Sequence, residues 1–141
     1  MGVLNVSKGP VKVLITEDSK TIRGFLCRHV RACLPEAVLE ECEHGGQAME
    51  RLTATRADLV ITDLQMPQLG GEAFLLQAQA QGLLESSAII VISSAISPRV
   101  RASLHALQRI SFLRKPATGD EISRAIKAMI PLLATQVGME A

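Results

Sequence analysis

The chain has 141 residues, of which 48% are hydrophobic and 21% are charged, and its formal net charge is +1. The length suits one domain with one core, and the composition excludes an intrinsically disordered chain. The near-neutral charge gives no electrostatic basis for binding nucleic acid, and the absence of Trp and Tyr argues against an aromatic platform for single strands.

The amino terminus and the cysteines indicate a cytoplasmic protein. No apolar run approaches the roughly 18 residues that a membrane span needs. The amino terminus lacks the basic and apolar regions of a secretory signal, so we expect no membrane partner. The odd cysteine count (Cys27, Cys33 and Cys42) argues against a disulfide framework and favours buried thiols.

The first half of the chain alternates between strand and helix patterns after a short polar lead over residues 1–10. The predicted elements are, in chain order, strand Val11–Thr16, a helix from an Asp18 or Ser19 cap to Pro35, strand Ala37–Glu43, a helix after Gly45-Gly46, a strand around Leu59–Ile61 and helix Gly71–Gln81. The second strand is mixed in polarity, and we expect it to be more exposed than the first.

The second half of the chain continues this alternation. Its predicted elements are strand Ala88–Ser93, a helix from the Ser97-Pro98 cap through about Leu107, strand Ile110–Leu113, and a helix that begins with the capping box Thr118–Glu121. Pro131 is expected to end or kink the last helix, because proline lacks the N–H that a helix interior uses.

Five strands that alternate with five helices predict an α/β fold of the flavodoxin-like, doubly wound type. Such alternation implies parallel strands joined by right-handed crossovers, hence a (βα)5 three-layer sandwich around a five-stranded parallel sheet. The predicted domain spans residues 11–134, and residues 135–141 form a tail. We expect a domain that acts alone, with no further domain after this tail.

Polar side chains follow the predicted strands at the points where the strands end. Glu17 and Asp18 follow the first strand, Asp63 the third, Ser93 the fourth and Lys115 the fifth. Parallel strands present their carboxyl ends at one edge of the sheet, where ligands bind in such folds. Asp63 alone is also typical of a strand-to-helix turn. The five residues together predict a functional site at this edge.

The residue types at this edge indicate magnesium-dependent phosphoryl chemistry. A cluster of three carboxylates is costly unless a cation joins it, and magnesium takes oxygen ligands together with a substrate phosphate. A hydroxyl and an ammonium suit phosphoryl oxygens. A carboxylate beside them can act as the nucleophile and form an aspartyl phosphate.

These residues and their loops resemble the response-regulator receiver domain of two-component signalling, over about Val11–Leu133. The matching motifs are Glu17-Asp18, Asp63-Leu64-Gln65-Met66-Pro67, Ser93 and Phe112-Leu113-Arg114-Lys115-Pro116. The resemblance implies a phosphoacceptor regulatory domain rather than an enzyme: the chain would catalyse only its own phosphotransfer and slow dephosphorylation.

The resemblance also implies a role for each residue. Asp63 accepts a phosphoryl group from a histidine kinase or a phosphotransfer protein. Ser93 and Lys115 bind phosphoryl oxygens. Phe112 is either a switch aromatic that moves inward on activation or an ordinary core residue. The implied magnesium ligands are Glu17, Asp18, Asp63 and the backbone carbonyl of Gln65.

The resemblance places the output surface on the fourth helix, the fifth strand and the fifth helix. Gln108-Arg109 stands where many relatives have Gly-Ala, so the fourth helix lacks its glycine stop and we expect this surface to differ in shape from theirs. Basic residues cluster here: Arg99, Arg101, Arg109, Arg114, Arg124 and Lys127. We hypothesise that this face binds an acidic downstream protein or a homodimer mate after phosphorylation. The alternative is a solvated basic face.

Three other functions fit these residues less well. A flavodoxin-type electron carrier needs a hydroxyl-rich phosphate loop and aromatics around the flavin. A magnesium-dependent phosphohydrolase of the Asp-nucleophile type carries Asp-x-Asp after the first strand, where this chain has Glu17-Asp18-Ser19. A degenerate receiver that binds partners without phosphorylation is disfavoured, because all the site residues are present.

Overall fold

One parallel sheet with helices on both faces forms the computed structural model, which describes residues 9–136. The strands are β1 (Lys12–Thr16), β2 (Val38–Cys42), β3 (Leu59–Thr62), β4 (Ala88–Ser93) and β5 (Ile110–Arg114). The helices are α1 (Lys20–Cys33), α2 (Gly45–Ala54), α3 (Gly71–Ala80), α4 (Pro98–Ser103) and α5 (Gly119–Gln136). The predicted five-stranded, doubly wound α/β sandwich is confirmed.

The strand order is β2-β1-β3-β4-β5, and every neighbouring pair is parallel. The direction of winding reverses between β1 and β3. In open α/β sheets a crevice forms outside the carboxyl ends of the strands at such a reversal. The topology therefore leaves an open edge beside the ends of β1 and β3, next to Glu17 and Asp63.

Two apolar clusters fill the space between the sheet and its helices. Val13 and Ile15 face α1 and α5, and Leu14 between them faces α2, α3 and α4. β3 and β4 lie in the middle of the sheet, and every residue in both strands is buried. Complete burial of an aliphatic side chain contributes about 1.5–3 kcal/mol. β2 lies at the edge and is more exposed than β1, as its mixed sequence predicts.

The fourth helix is shorter than predicted, because it ends at Ser103 rather than at about Leu107. Beyond Ser103 the backbone closes tighter turns: the N–H of His105 donates to the carbonyl of Ala102, and that of Leu107 to the carbonyl of Leu104. These bonds span three residues instead of four and turn the chain more tightly than an α-helix does. Leu104 and Leu107 are thereby both buried in the core.

The last helix continues through Pro131, so proline does not end it, and the alternative that it kinks the helix stays a prediction. Pro131 is exposed and has no N–H to donate, which removes one backbone hydrogen bond from the helix. Leu132 and Leu133 pack against the core just beyond it. This apolar contact keeps the chain helical. α5 ends two residues past the predicted domain boundary at 134, and most of the predicted lead and tail (residues 1–8 and 137–141) lies outside the described residues.

The carboxylate of Glu72 joins the first turn of α3 to α4. Both terminal nitrogens of the Arg99 guanidinium donate to it, at 2.8 and 3.1 Å, and the Ser103 hydroxyl donates at 2.6 Å. The hydrogen bonds from Arg99 and then from Ser103 lower the pKa of Glu72. A helix of six residues is thus held at both ends by one acidic side chain.

The imidazole of His44 caps the amino terminus of α2. Its Nδ1 atom accepts hydrogen bonds from the backbone N–H groups of Gly46 and Gln47, at 3.1 and 3.3 Å. The N–H of Gly45 donates to the carbonyl of Leu69 at 2.9 Å. This end of α2 is therefore tied to the loop that follows β3.

Replacing His44 with Ala should lower the free energy of unfolding by about 1 kcal/mol, because the first turn of α2 loses its acceptor. His44→Asp should retain most of the stability, since a carboxylate also caps and favours the positive end of the helix dipole. Urea denaturation followed by circular dichroism measures both effects. His105→Ala, at an exposed position, is the control. Equal losses in the two alanine variants would contradict this role of His44.

Candidate functional site

Backbone hydrogen bonds carry the sheet into the loops that bear the site residues. The N–H of Asp63 donates to the carbonyl of Thr16 at 3.1 Å, and the N–H of Lys115 donates to the carbonyl of Ser93 at 3.0 Å. On the other side of β1, the N–H of Glu17 donates to the carbonyl of Cys42 at 3.0 Å. The side chains that follow four different strands are therefore fixed at one edge.

The ammonium group of Lys115 bridges two of the carboxylates. Its Nζ atom lies 2.8 Å from Oδ2 of Asp63 and 3.0 Å from Oε1 of Glu17. Only 2% of the Glu17 side chain and 5% of the Asp63 side chain are exposed, against 21% for Lys115. Two carboxylates that are almost excluded from water thus share one cation, which a buried pair of like charges requires.

Burial and charge oppose each other in setting the pKa values of this cluster. Burial raises the pKa of the Glu17 carboxyl above its ordinary value of 4.5, although the hydrogen bond from Lys115 acts in the opposite direction. Burial also acts to lower the pKa of Lys115, but its hydrogen bonds to Asp63 and Glu17, together with the negative charge of both carboxylates, outweigh burial, and the pKa is raised. Lys115 therefore remains a cation at neutral pH.

The second oxygen of each bridged carboxylate accepts from the backbone. Oδ1 of Asp63 receives the N–H groups of Leu64 and Gln65, at 2.6 and 3.2 Å, and Oε2 of Glu17 receives the N–H of Ser19 at 3.1 Å. Gly71 packs so closely on Asp63 that a β-carbon at that position would collide with the Asp63 carbonyl. The loop after β3 holds Asp63 in one orientation.

Three carboxylates at this edge form a candidate metal site. Glu17, Asp18 and Asp63 each offer one oxygen, and these oxygens lie within 4.8 Å of one another. Asp18 is exposed while the other two are buried, so the cluster opens to solvent on one side. Hard oxygen ligands with room for water suit magnesium. Gln65 lies on the same loop as Asp63, and the use of its carbonyl as a ligand remains a prediction.

Two adjacent serines follow β4 in different environments. Ser93 is completely buried, and its Oγ atom accepts from the N–H of Ala95 at 3.2 Å. Ser94 is exposed, and its hydroxyl donates to Oε1 of Gln65 at 2.9 Å. The pairing of Thr62 with Val91 carries both β3 and β4 to this same edge. The phosphoryl-binding role of Ser93 stays a prediction.

Phe112 lies half-buried on β5 and faces α4. It packs against the apolar cluster between the sheet and α2, α3 and α4. The guanidinium carbon of Arg101 lies 4.7 Å from the centre of the Phe112 ring, within the range of a cation–π contact. This position places the aromatic ring between the core and the surface of α4. A switch role for the Phe112 ring remains a prediction.

Most of the basic residues expected on the output face already contact the chain itself. Arg99 binds Glu72, Arg109 donates to the carbonyl of Glu85 at 2.6 Å, and Arg114 donates to the carbonyl of Ile96 at 3.0 Å. The structure thus gives these arginines internal roles that the charge pattern did not predict. Arg124 and Lys127 are exposed on α5.

Sequence reasoning missed Arg23, which is buried beside the site. Its guanidinium donates to the carbonyl of Glu17 at 2.8 Å and to the carboxylate of Glu41 at 3.0 Å. The only signal in the sequence was an arginine next to the apolar stripe of α1. Its partners are the residue that follows β1 and a residue of β2, so the contact depends on the tertiary structure.

Comparison with known proteins identifies the class of this fold and site. Residues 13–127 match the family model for the response regulator receiver domain. The receiver domain of the putative Luxo repressor protein from Vibrio parahaemolyticus superposes with a TM-score of 0.80 over 94% of this chain and 98% of its own, at 20% identity. The chemotaxis response regulator CheY4 of Vibrio cholerae gives a TM-score of 0.72 over 87% and 98%, at 22% identity.

Curated relatives are longer proteins. A protein-glutamate methylesterase/protein-glutamine glutaminase of Myxococcus xanthus is 32% identical over 76% of this chain, which spans 30% of that protein. The sensor histidine kinase TmoS of Ectopseudomonas mendocina is 26% identical over 86% of this chain, which spans 12% of that kinase. The chain belongs to the response regulator receiver domain family of two-component signalling. No helix within residues 9–136 is long and apolar enough to cross a membrane.

Replacing Lys115 with Met should make the stability of the metal-free protein decrease more steeply with pH than in the wild type. Loss of the ammonium removes the hydrogen bond that lowers the pKa of Glu17, so this already raised pKa rises further. A carboxyl with a higher pKa in the folded state stabilises the fold less as pH rises from 4.5 through that higher value.

Urea denaturation across this pH range measures the effect. Lys127→Met, at an exposed position on α5, is the matched control. Parallel pH profiles for the two variants would show that Lys115 does not balance the buried carboxylates.

Proposed function

We propose that this chain is a phosphorylation-activated signalling switch. It accepts a phosphoryl group on Asp63 from a histidine kinase or a phosphotransfer protein, in a magnesium-dependent reaction. Phosphorylation then changes the binding of a downstream protein through α4, β5 and α5. The proposal rests above all on the environment of Asp63, a buried carboxylate that Lys115 contacts at 2.8 Å and that shares an open acidic edge with Glu17 and Asp18.

The transfer step follows from the contacts of Asp63. One carboxylate oxygen attacks phosphorus, and its electron pair forms the O–P bond. The P–N bond to the donor histidine breaks, and the imidazole leaves with the bonding electrons and takes up a proton. The chain supplies orientation, because the N–H groups of Leu64 and Gln65 hold one oxygen and Lys115 holds the other. Such transfers depend on positioning and on charge compensation more than on covalent help.

Each remaining group has a place in charge compensation. Magnesium, when bound by Glu17, Asp18 and Asp63, would neutralise the charge that develops on the phosphoryl oxygens. Lys115 can remain beside Glu17 and Asp63 and also pair with an oxygen of the incoming phosphoryl group. Ser93 can donate its hydroxyl hydrogen to another. Asp18 is the exposed carboxylate of the three and therefore faces the side from which solvent and a phosphodonor arrive.

The signal leaves the site through the segment that follows β4. Ser93 ends β4, and α4 begins five residues later at Pro98. A hydroxyl that turns toward a phosphoryl group gives up its present contact with the N–H of Ala95. The following loop then moves against α4, whose Arg101 covers Phe112. A downstream protein would recognise the altered arrangement of α4 and β5, and the exposed Arg124 and Lys127 favour an acidic partner or a homodimer mate.

Incubation with magnesium and acetyl phosphate should add one phosphoryl group to the protein, because a small phosphodonor needs no docking surface. Intact-mass spectrometry measures the addition. Asp63→Asn should abolish it, and chelation of magnesium should prevent it. Asp58→Asn removes another buried carboxylate on the opposite edge of the sheet, ahead of β3, and serves as the control. Magnesium binding without phosphoryl uptake would favour the degenerate receiver instead.

Phosphorylation should change the backbone amide chemical shifts of α4 and β5 as well as those of the site loops. We expect the carboxyl end of α2 and the amino end of the edge strand β2 to change little, because both lie at the opposite edge of the sheet from the site loops. Two-dimensional NMR spectra with and without acetyl phosphate measure this, and Asp63→Asn with acetyl phosphate is the control. Changes confined to the acidic edge would argue against α4, β5 and α5 as the output surface.

A further inference from the structure

Arg23 is an arginine buried in the first turns of α1, directly behind the acidic edge. Only 8% of the residue is exposed. Its Nη1 atom donates to the carbonyl oxygen of Glu17 at 2.8 Å, and its Nε atom donates to Oε1 of Glu41 at 3.0 Å. A buried guanidinium is costly unless charged and polar partners surround it. The fold therefore keeps this cation in place with one acceptor from β2 and one from the end of β1.

The carbonyl that Arg23 contacts belongs to the peptide group between Glu17 and Asp18. This peptide carries two of the three carboxylates of the candidate metal site. On its amino side, the N–H of Glu17 is already held by the carbonyl of Cys42 at 3.0 Å. Arg23 thus fixes the carbonyl side of a residue whose N–H is fixed by β2. Rotation of this peptide would change the directions in which the two side chains leave the backbone.

The ion pair with Glu41 compensates the charge of Arg23, but attraction to a metal ion does not explain a cation at this place. A positive charge behind the site opposes the binding of a divalent cation. Lys115 already provides a cation to Glu17 and Asp63 on the open side. The contact that distinguishes Arg23 is its hydrogen bond to the Glu17 carbonyl, which an apolar or shorter side chain cannot make.

We propose that Arg23 is a positioning residue for magnesium: it holds the Glu17–Asp18 peptide so that both carboxylates point to one ion. The inference rests on the proposed function, because it requires a magnesium site at this edge. Magnesium demands near-ideal octahedral geometry, whereas calcium accepts flexible geometry. Loss of a positioning contact should therefore weaken magnesium binding more than calcium binding, while loss of a charge should affect both ions alike.

Titration calorimetry with magnesium chloride, and separately with calcium chloride, tests the inference on the full chain. Arg23→Met removes the charge and both hydrogen bonds at similar volume. We expect it to raise the magnesium Kd about tenfold or more, the scale seen when residues that orient metal ligands are lost. The calcium Kd should rise less. Arg23→Lys keeps the charge but loses the guanidinium fork that bonds both acceptors at once, so it should lie between Arg23→Met and the wild type.

Two further variants separate the contacts. Glu41→Gln leaves the hydrogen bond to Glu17 in place and should change the magnesium Kd little. Arg56→Met removes an arginine that donates to the carbonyl of Leu52, far from the acidic edge, and should change neither Kd. Thermal unfolding of each variant is also recorded, so that binding is compared only at temperatures well below the unfolding midpoint of every variant.

Each outcome decides the matter. Tighter magnesium binding by Arg23→Met would mean that Arg23 acts only through its charge. An unchanged Kd with a lower Tm would mean that it only stabilises the fold. Equal effects of Arg23→Met and Glu41→Gln on the magnesium Kd would assign the role to the ion pair with β2. Any one of these three results would overturn the inference. If Arg23→Met does not fold, Arg23→Lys takes its place. A ratio of magnesium Kd to calcium Kd that is the same in Arg23→Lys as in the wild type would then overturn the inference. No magnesium binding by the wild type would instead refute the proposed function.

Discussion

The contact between Lys115 and two buried carboxylates is the interaction on which the acidic edge depends. Glu17 and Asp63 are nearly excluded from water, and an oxygen of Asp18 lies within 4.8 Å of an oxygen of each. Like charges at such distances repel, and a low-polarity surrounding makes the repulsion stronger. One ammonium group compensates part of this charge. The negative charge that remains makes this edge of the sheet suited to a hard divalent cation.

The sheet supplies the rigidity that this charge cluster requires. Glu17, Asp63 and Lys115 each use a backbone N–H to bond a neighbouring strand, so the three side chains begin from fixed backbone. Arg23 fixes the same backbone from behind, through the carbonyl of Glu17. Repulsion among the carboxylates is therefore resisted by hydrogen bonds of the main chain rather than by side chains alone.

The helix α4, which follows the loop after Ser93, is short and weakly buried. Val100 is the only buried residue of the six in α4, and the helix is held from outside by Glu72 and covers Phe112 through Arg101. Few apolar contacts and a surface ion pair make such an element easier to move than the central strands. The same contacts engage arginines that a charge count assigns to a partner.

The sequence by itself determined the strands, the fold class and the candidate site residues. Buried parallel strands read as continuous apolar runs, and Glu17, Asp63, Ser93 and Lys115 follow those runs directly. Only the tertiary structure decided which charges meet, where α4 ends and that Arg23 lies behind the site. These features depend on partners far apart in the chain, such as Arg23 with Glu41 and Lys115 with Glu17. Local patterns record burial and capping, whereas contacts between distant residues exist only once the sheet has brought its strands together.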